Sequence, residues 1–320
     1  MRALRLSHHK KPSLVEVPTP EAGAGEARVR VHMAGVCSTD LHLARGYKGG
    51  FEGTLGHEFV GHVDQCPDAP EWLGRRVVAE INVGCQRCSR CEGAVGPNHC
   101  GSRQVVGILG RDGCFADWIV LPIGLLHAVP DDLPDRRAVF TEPVAAALRV
   151  MEQVHVRPGA RVAVLGDGKL GQLITQALLS VTTPTLIGRH PAKLAIAEAR
   201  GARVALGEEE WGTFELVVEA TGTEAGLREA LARVRPTGTI VLKSTFHGLT
   251  HLDTSRVVVS EVTLVGSRCG PFTPAIEALR SASIDPEPLI DAVFELEQGP
   301  QALQRAATPG VLKVLLTTGA

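Results

Sequence analysis

Arg161-Val162-Ala163-Val164-Leu165-Gly166-Asp167-Gly168-Lys169-Leu170-Gly171 is the stretch that decides the fold. An apolar run of strand length ends in a G-x-G-x-x-G, and the glycines open a segment with Leu170, Leu173, Ile174, Ala177 and Leu178 at helical spacing. In that setting each glycine has its own task. Gly166 permits the tight turn, Gly168 lets a pyrophosphate approach the backbone, and Gly171 lets helix and strand pack closely. Lys169 and Leu170 stand at the helix N-terminus, whose partial positive charge favours phosphate. A plain strand-to-helix turn is the simpler alternative, and the βαβ pattern around it argues against that.

Downstream, apolar runs alternate with helical periodicity. TLIG (185–188) precedes a helix from Pro191, ELVVEATG (215–222) precedes a helix over about 225–234, and GTIVLK (238–243) and EVTLVGS (261–267) follow. Such runs are buried parallel strands, so a doubly wound α/β sheet is expected over 145–268. At the ribose end, where an NAD-selective turn carries Asp or Glu, the second strand closes with Gly188-Arg189-His190-Pro191, and Lys193 follows. With no carboxylate in that stretch and Arg189 able to pair with a 2′-phosphate, NADP is favoured over NAD. The alternative for Arg189 is a solvated turn residue.

Before this sheet the texture differs. Short period-two runs at 27–32, 59–63 and 76–81, broken by Gly, Pro and Asp, indicate a β-rich domain. The tail after Phe272 suggests one helix and short strands ending in GVLKVLL (310–316). The expected division is therefore 1–144 plus 269–320 for the β-rich domain and 145–268 for the inserted sheet domain.

Lys and Arg total 33 against 35 Asp and Glu, and aromatics are 4%, so neither a basic field nor a stacking platform points to nucleic acid. The first residues lack an apolar signal core, and no run reaches the ~18 apolar residues of a membrane span. A cytoplasmic protein is expected, in which the eight cysteines stay reduced and serve metal or catalysis.

Cys85, Cys88, Cys91 and Cys100 lie in GCQRCSRCEGAVGPNHC, a spacing that can close a tetrahedral structural zinc site on a loop; His99 is the alternative fourth ligand. GVCSTDLH (35–42) and GHEFVG (56–61) supply Cys37 and His57, each flanked by polar residues, and Glu142 in Thr141-Glu142-Pro143 is a further candidate. Three protein ligands with an open position make a catalytic zinc site. Singly, each has a plainer reading: a core thiol, a satisfied core histidine, a carboxylate at a helix start.

With these motifs in this order, together with GILGRDGCFADW (107–118) and TEPVAAAL (141–148), the chain resembles the zinc-dependent medium-chain dehydrogenase/reductase family. The resemblance implies a Rossmann cofactor domain inserted into a β-rich GroES-like catalytic domain, with the active site in the cleft. It implies Cys37 and His57 as catalytic zinc ligands, Glu58 as a ligand that exchanges on and off, and Glu142 as the remaining ligand, direct or through water. Thr39 takes the alcohol proton, His42 passes it towards solvent, Asp40 orients His57, and Thr221 and residues 243–245 line the nicotinamide side. The Glu142 form is similar to the polyol, sugar and threonine dehydrogenase branch. The family's fourth loop cysteine falls on His99, one residue before Cys100.

The expected activity is zinc-dependent NAD(P)-linked interconversion of a secondary alcohol and its carbonyl, with two zinc ions per chain and a homodimer or homotetramer. A zinc-free quinone or enoyl reductase of the same superfamily, or a non-catalytic dinucleotide-binding protein, are the alternatives.

Overall fold

The glycine turn joins strand Val162–Leu165 to helix Lys169–Leu178 in the computed structural model, which describes residues 1–7, 11–46, 51–93, 96–207, 212–245 and 250–319. Among the described residues, six parallel strands form one sheet. Their spatial order is Arg203–Leu206, Thr185–Gly188, Val162–Leu165, Phe214–Glu219, Val234–Leu242 and Thr263–Gly266. Numbered along the chain this is 3-2-1-4-5-6, so the strand order reverses beside the glycine turn, where doubly wound sheets take ligands. Val162–Leu165 and Thr185–Gly188 are buried at every position because helices cover both faces. Ala163, Leu165, Ile187, Val217 and Ile240 form the centre of that core. Strand Arg203–Leu206, which the sequence pattern did not reveal, buries only Ala205, and an edge strand of that kind carries no apolar run.

Contacts divide the chain into two compact units, Met1–Glu142 with Leu289–Ala320, and Pro143–Pro288. Residues 269–288, expected with the β-rich domain, group instead with the sheet unit. Gln176 clasps Asp285 from both ends, Nε2 donating to its carbonyl at 3.1 Å and Oε1 accepting its N–H at 2.7 Å. Arg200 reaches the carbonyls of Ala282 and Ser283 at 2.9 and 3.2 Å. The tail also holds two helices of eight or nine residues, Phe272–Arg280 and Gly299–Ala306, rather than one.

The other unit is built around strand Glu26–Gly35, whose alternating Ala27, Val29 and Val31 are fully buried. Its first half pairs with Trp118–Pro122, it runs antiparallel to Phe59–Gln65 along most of its length, and its end pairs with Lys313–Thr317. One long strand thus joins three partners in a single sheet. No helix among the described residues is long and apolar enough to cross a membrane.

Candidate functional site

The register of those strands brings distant residues together. Gly35 N donates to the carbonyl of Glu58 at 2.8 Å, and Val36 N to that of Val314 at 2.9 Å. Cys37 therefore follows one strand end, His57 and Glu58 precede the next strand, and Lys313 begins a third. Donor atoms of Cys37, His57 and Glu58 all lie within 4.8 Å of one another. Gly35 has no side chain because a Cβ there would collide with the Glu58 carboxylate and the Lys313 amine.

Asp40 does two jobs. Its Oδ2 accepts the Cys37 N–H at 2.8 Å, fixing the start of helix Ser38–Leu43, and its Oδ1 faces His57 Nδ1 at 3.4 Å. Burial opposes protonation of His57, yet Asp40 and Cys37 outweigh it and raise the imidazole well above its ordinary value. Asp40 Oδ1 and His57 Nδ1 are buried with no hydrogen bond completed. A thiol, an imidazole and two buried carboxylates, offset by one ammonium, are a set that suits a divalent cation, and their types suit zinc. Thr39 Oγ1 lies 3.7 Å from Cys37 Sγ, and exposure rises from buried Asp40 to exposed His42 along the same short helix. Glu142, in the first turn of helix Thr141–Gln153, stands outside the three-residue group.

In the loop, four sulfurs meet. Cys85–Cys91, Cys88–Cys91 and Cys88–Cys100 Sγ distances are 4.0, 3.5 and 3.9 Å, close to the ~3.8 Å edge of a tetrahedral zinc–thiolate site. Backbone donors of Cys85 and Ser102 favour the Cys100 thiolate and lower its pKa to about 6. Cys100, not His99, joins the group; the His99 carbonyl accepts from Arg90 at 3.0 Å. A Cβ at Gly84 would meet Cys91 Sγ at 2.7 Å.

At the glycine turn the three glycines divide as their spacing implies. Gly166 has φ +108°, Gly168 has open space where a Cβ would project, and a Cβ on Gly171 would strike the Gly166 carbonyl. A cavity of about 260 Å³ opens there, lined by Gly166, Gly168, Arg189, His190, Thr221 and Thr223 among others. Lys169, Leu170 and Gly171 do not line it. Lys243 is committed elsewhere, its Nζ bonding the carbonyls of Ala146 and Arg268 at 2.7 and 2.8 Å.

Residues 23–131 match the family described as the alcohol dehydrogenase GroES-like domain. A sorbitol dehydrogenase of Halalkalibacterium halodurans is 26% identical, covering 99% of each chain. Two solved structures, each 26% identical, superpose over nearly full length. One, described as a zinc-binding dehydrogenase of Sinorhizobium meliloti 1021 bound to NADP, gives a TM-score of 0.91 over 99% of this chain and 98% of its own. The other, the rspB alcohol dehydrogenase of E. coli CFT073 complexed with NADH, gives 0.92 over 99% of both. These likenesses support a member of the medium-chain dehydrogenase/reductase family.

Two residues of this dehydrogenase escaped the sequence pattern. Lys313, fully buried, pairs its Nζ with the Glu58 carboxylate, lies 3.4 Å from the Val36 carbonyl and sits over the Phe140 ring. A lysine inside VLKVLL interrupts an otherwise apolar run, and that interruption is the signal that could have found it. The second is Asp167. Although the strand end has no carboxylate of its own, the turn supplies one. Asp167 Oδ2 accepts the N–H groups of Arg189 and His190 at 2.7 and 2.8 Å and faces His190 Nδ1 at 3.0 Å. Burial would raise the Asp167 carboxyl; those donors outweigh it and hold it below the usual carboxylate range. Gly188 makes room, since a Cβ there would overlap the Asp167 side chain.

Proposed function

We propose that this dehydrogenase interconverts a secondary alcohol of the polyol or sugar class and its carbonyl, with zinc at Cys37 and His57 and a nicotinamide cofactor at the glycine turn. The observation that carries this reading is the convergence of Cys37, His57 and Glu58 within 4.8 Å, in a chain that also folds a dinucleotide turn. The polyol class rests on the sorbitol dehydrogenase relative and on Glu142, which joins the ligands directly or through water. Zinc held there would supply Lewis acidity for loss of the alcohol proton, and a bound nicotinamide would supply the hydride acceptor.

The chain's own residues manage the proton and the geometry. Asp40 Oδ1 faces Nδ1 of His57 at 3.4 Å, which leaves Nε2 for the metal. Thr39 relays the hydroxyl proton beside Cys37, receiving it as it releases its own, and exposed His42 passes that proton to solvent. Lys313 pairs with the Glu58 carboxylate and holds it beside the ligands, ready to exchange onto the metal. A second zinc among Cys85, Cys88, Cys91 and Cys100 braces the loop, in a cytosolic setting that keeps the thiols reduced. In this reading the β-rich unit is catalytic and the sheet unit binds cofactor, with Arg189 favouring NADP. Two copies pair along Thr263–Gly266, an edge strand of the sheet preceded by Val258 and Val259 at 72% and 83% exposure.

The test is metal analysis joined to nicotinamide absorbance across a panel of polyols, sugars and ketones with both cofactors. Both sites filled and turnover of a polyol are expected. Full metal with no absorbance change on any substrate would favour a non-catalytic dinucleotide-binding protein; turnover of quinones or enones without metal at Cys37 would favour the zinc-free reductase.

A further inference from the structure

Arg189 is the cation that the cofactor reading assigns to a 2′-phosphate, yet it does not stand alone. The cavity that begins at the glycine turn is lined by Asp167, Arg189, His190 and Glu229 as its charged or titratable groups. Glu229 is occupied, holding Arg233 Nε at 2.8 Å. Asp167 is different in kind: 7% exposed, it projects from the turn onto the tip of the second strand and takes both backbone N–H groups there. Those are the donors a phosphate at the strand tip would use. The imidazole of His190, half exposed, is the group that can neutralise it.

We propose that Asp167 is a specificity-determining residue that works against Arg189, occupying the strand-tip donors and opposing a 2′-phosphate, so that Asp167, His190 and Arg189 together set the choice between phosphorylated and unphosphorylated dinucleotide. The inference rests on the reading of this turn as the cofactor site. Arg189 attracts the additional phosphate, Asp167 repels it and withholds two N–H groups, and His190 Nδ1, 3.0 Å from the carboxylate, offsets part of that repulsion. 5′-AMP lacks the 2′-phosphate and is the reference ligand for this balance.

The test is calorimetric binding of adenosine 2′,5′-bisphosphate and of 5′-AMP to the full chain, wild type, Asp167→Asn, Asp167→Ser and His190→Ala. The two Asp167 variants should bind the bisphosphate about tenfold tighter, the equivalent of one charge-assisted contact, and change 5′-AMP affinity less than about threefold. His190→Ala should move the ratio the other way, a reversal that loss of turn structure would not produce. Unchanged or weaker bisphosphate binding in both Asp167 variants, with 5′-AMP still bound, would overturn the inference. A wild type that prefers 5′-AMP would instead refute the NADP preference and leave the Asp167 test standing.

Discussion

Replacing Lys313 by Met tests how the buried charges around the candidate metal site are balanced. Lys313 and Glu58 are 0% and 1% exposed, so solvent screens neither. Met keeps most of the volume and removes the ammonium, leaving a buried carboxylate without its cation. Removing one member of a buried pair costs about 3–5 kcal/mol. At ~2–4 °C per kcal/mol for a unit of this size, the melting temperature of the metal-loaded protein should fall by about 6–20 °C in calorimetry. Glu58→Gln combined with Lys313→Met removes both charges and should recover most of that loss, because a neutral pair of similar volume has no unmatched charge. A Lys313→Met protein within about 1 kcal/mol of wild type, or a double variant no more stable than the single, would refute the reasoning.

Gly35→Ala should destabilise by about 1–3 kcal/mol in urea titrations and lower metal retention under dialysis, since the added methyl meets the Glu58 carboxylate and the Lys313 amine. Asp135 is held below the usual carboxylate range: burial opposes this, but the His32 and Arg76 contacts prevail. Its folded value being depressed, it contributes stability that is complete above the unfolded Asp value of about 4 and is lost as pH falls through the folded value. Asp135→Asn should therefore flatten the acid limb of urea midpoint against pH and lower the midpoint near neutrality.

The sheet unit was legible because its signals are local: apolar runs of Val162–Leu165 and Thr185–Gly188, and glycines whose spacing states their tasks. Cys37, His57 and the loop thiols were legible as types at suggestive spacing. Which of them meet depends on strand register, and the pairings Ala34–Phe59 and Leu315–Gly35 are not written in any one segment. Lys313 was lost for that reason, lying 255 residues from its partner Glu58. Asp167 was hidden for another: a ribose-end carboxylate is expected along the chain after the strand, while the structure supplies one across space from the turn. Residues 269–288 changed sides because side-chain clasps such as Gln176 with Asp285 leave no periodic trace.

The account stands on one ion held by Cys37 and His57, and the most direct measurement is zinc per chain by elemental analysis, made on wild type, Cys37→Ala and Cys100→Ser. Wild type should carry about two, and each variant about one. The Cys37→Ala protein should lose alcohol oxidation while still binding 5′-AMP. A Cys37→Ala protein that keeps the full wild-type zinc content and its turnover would contradict the account.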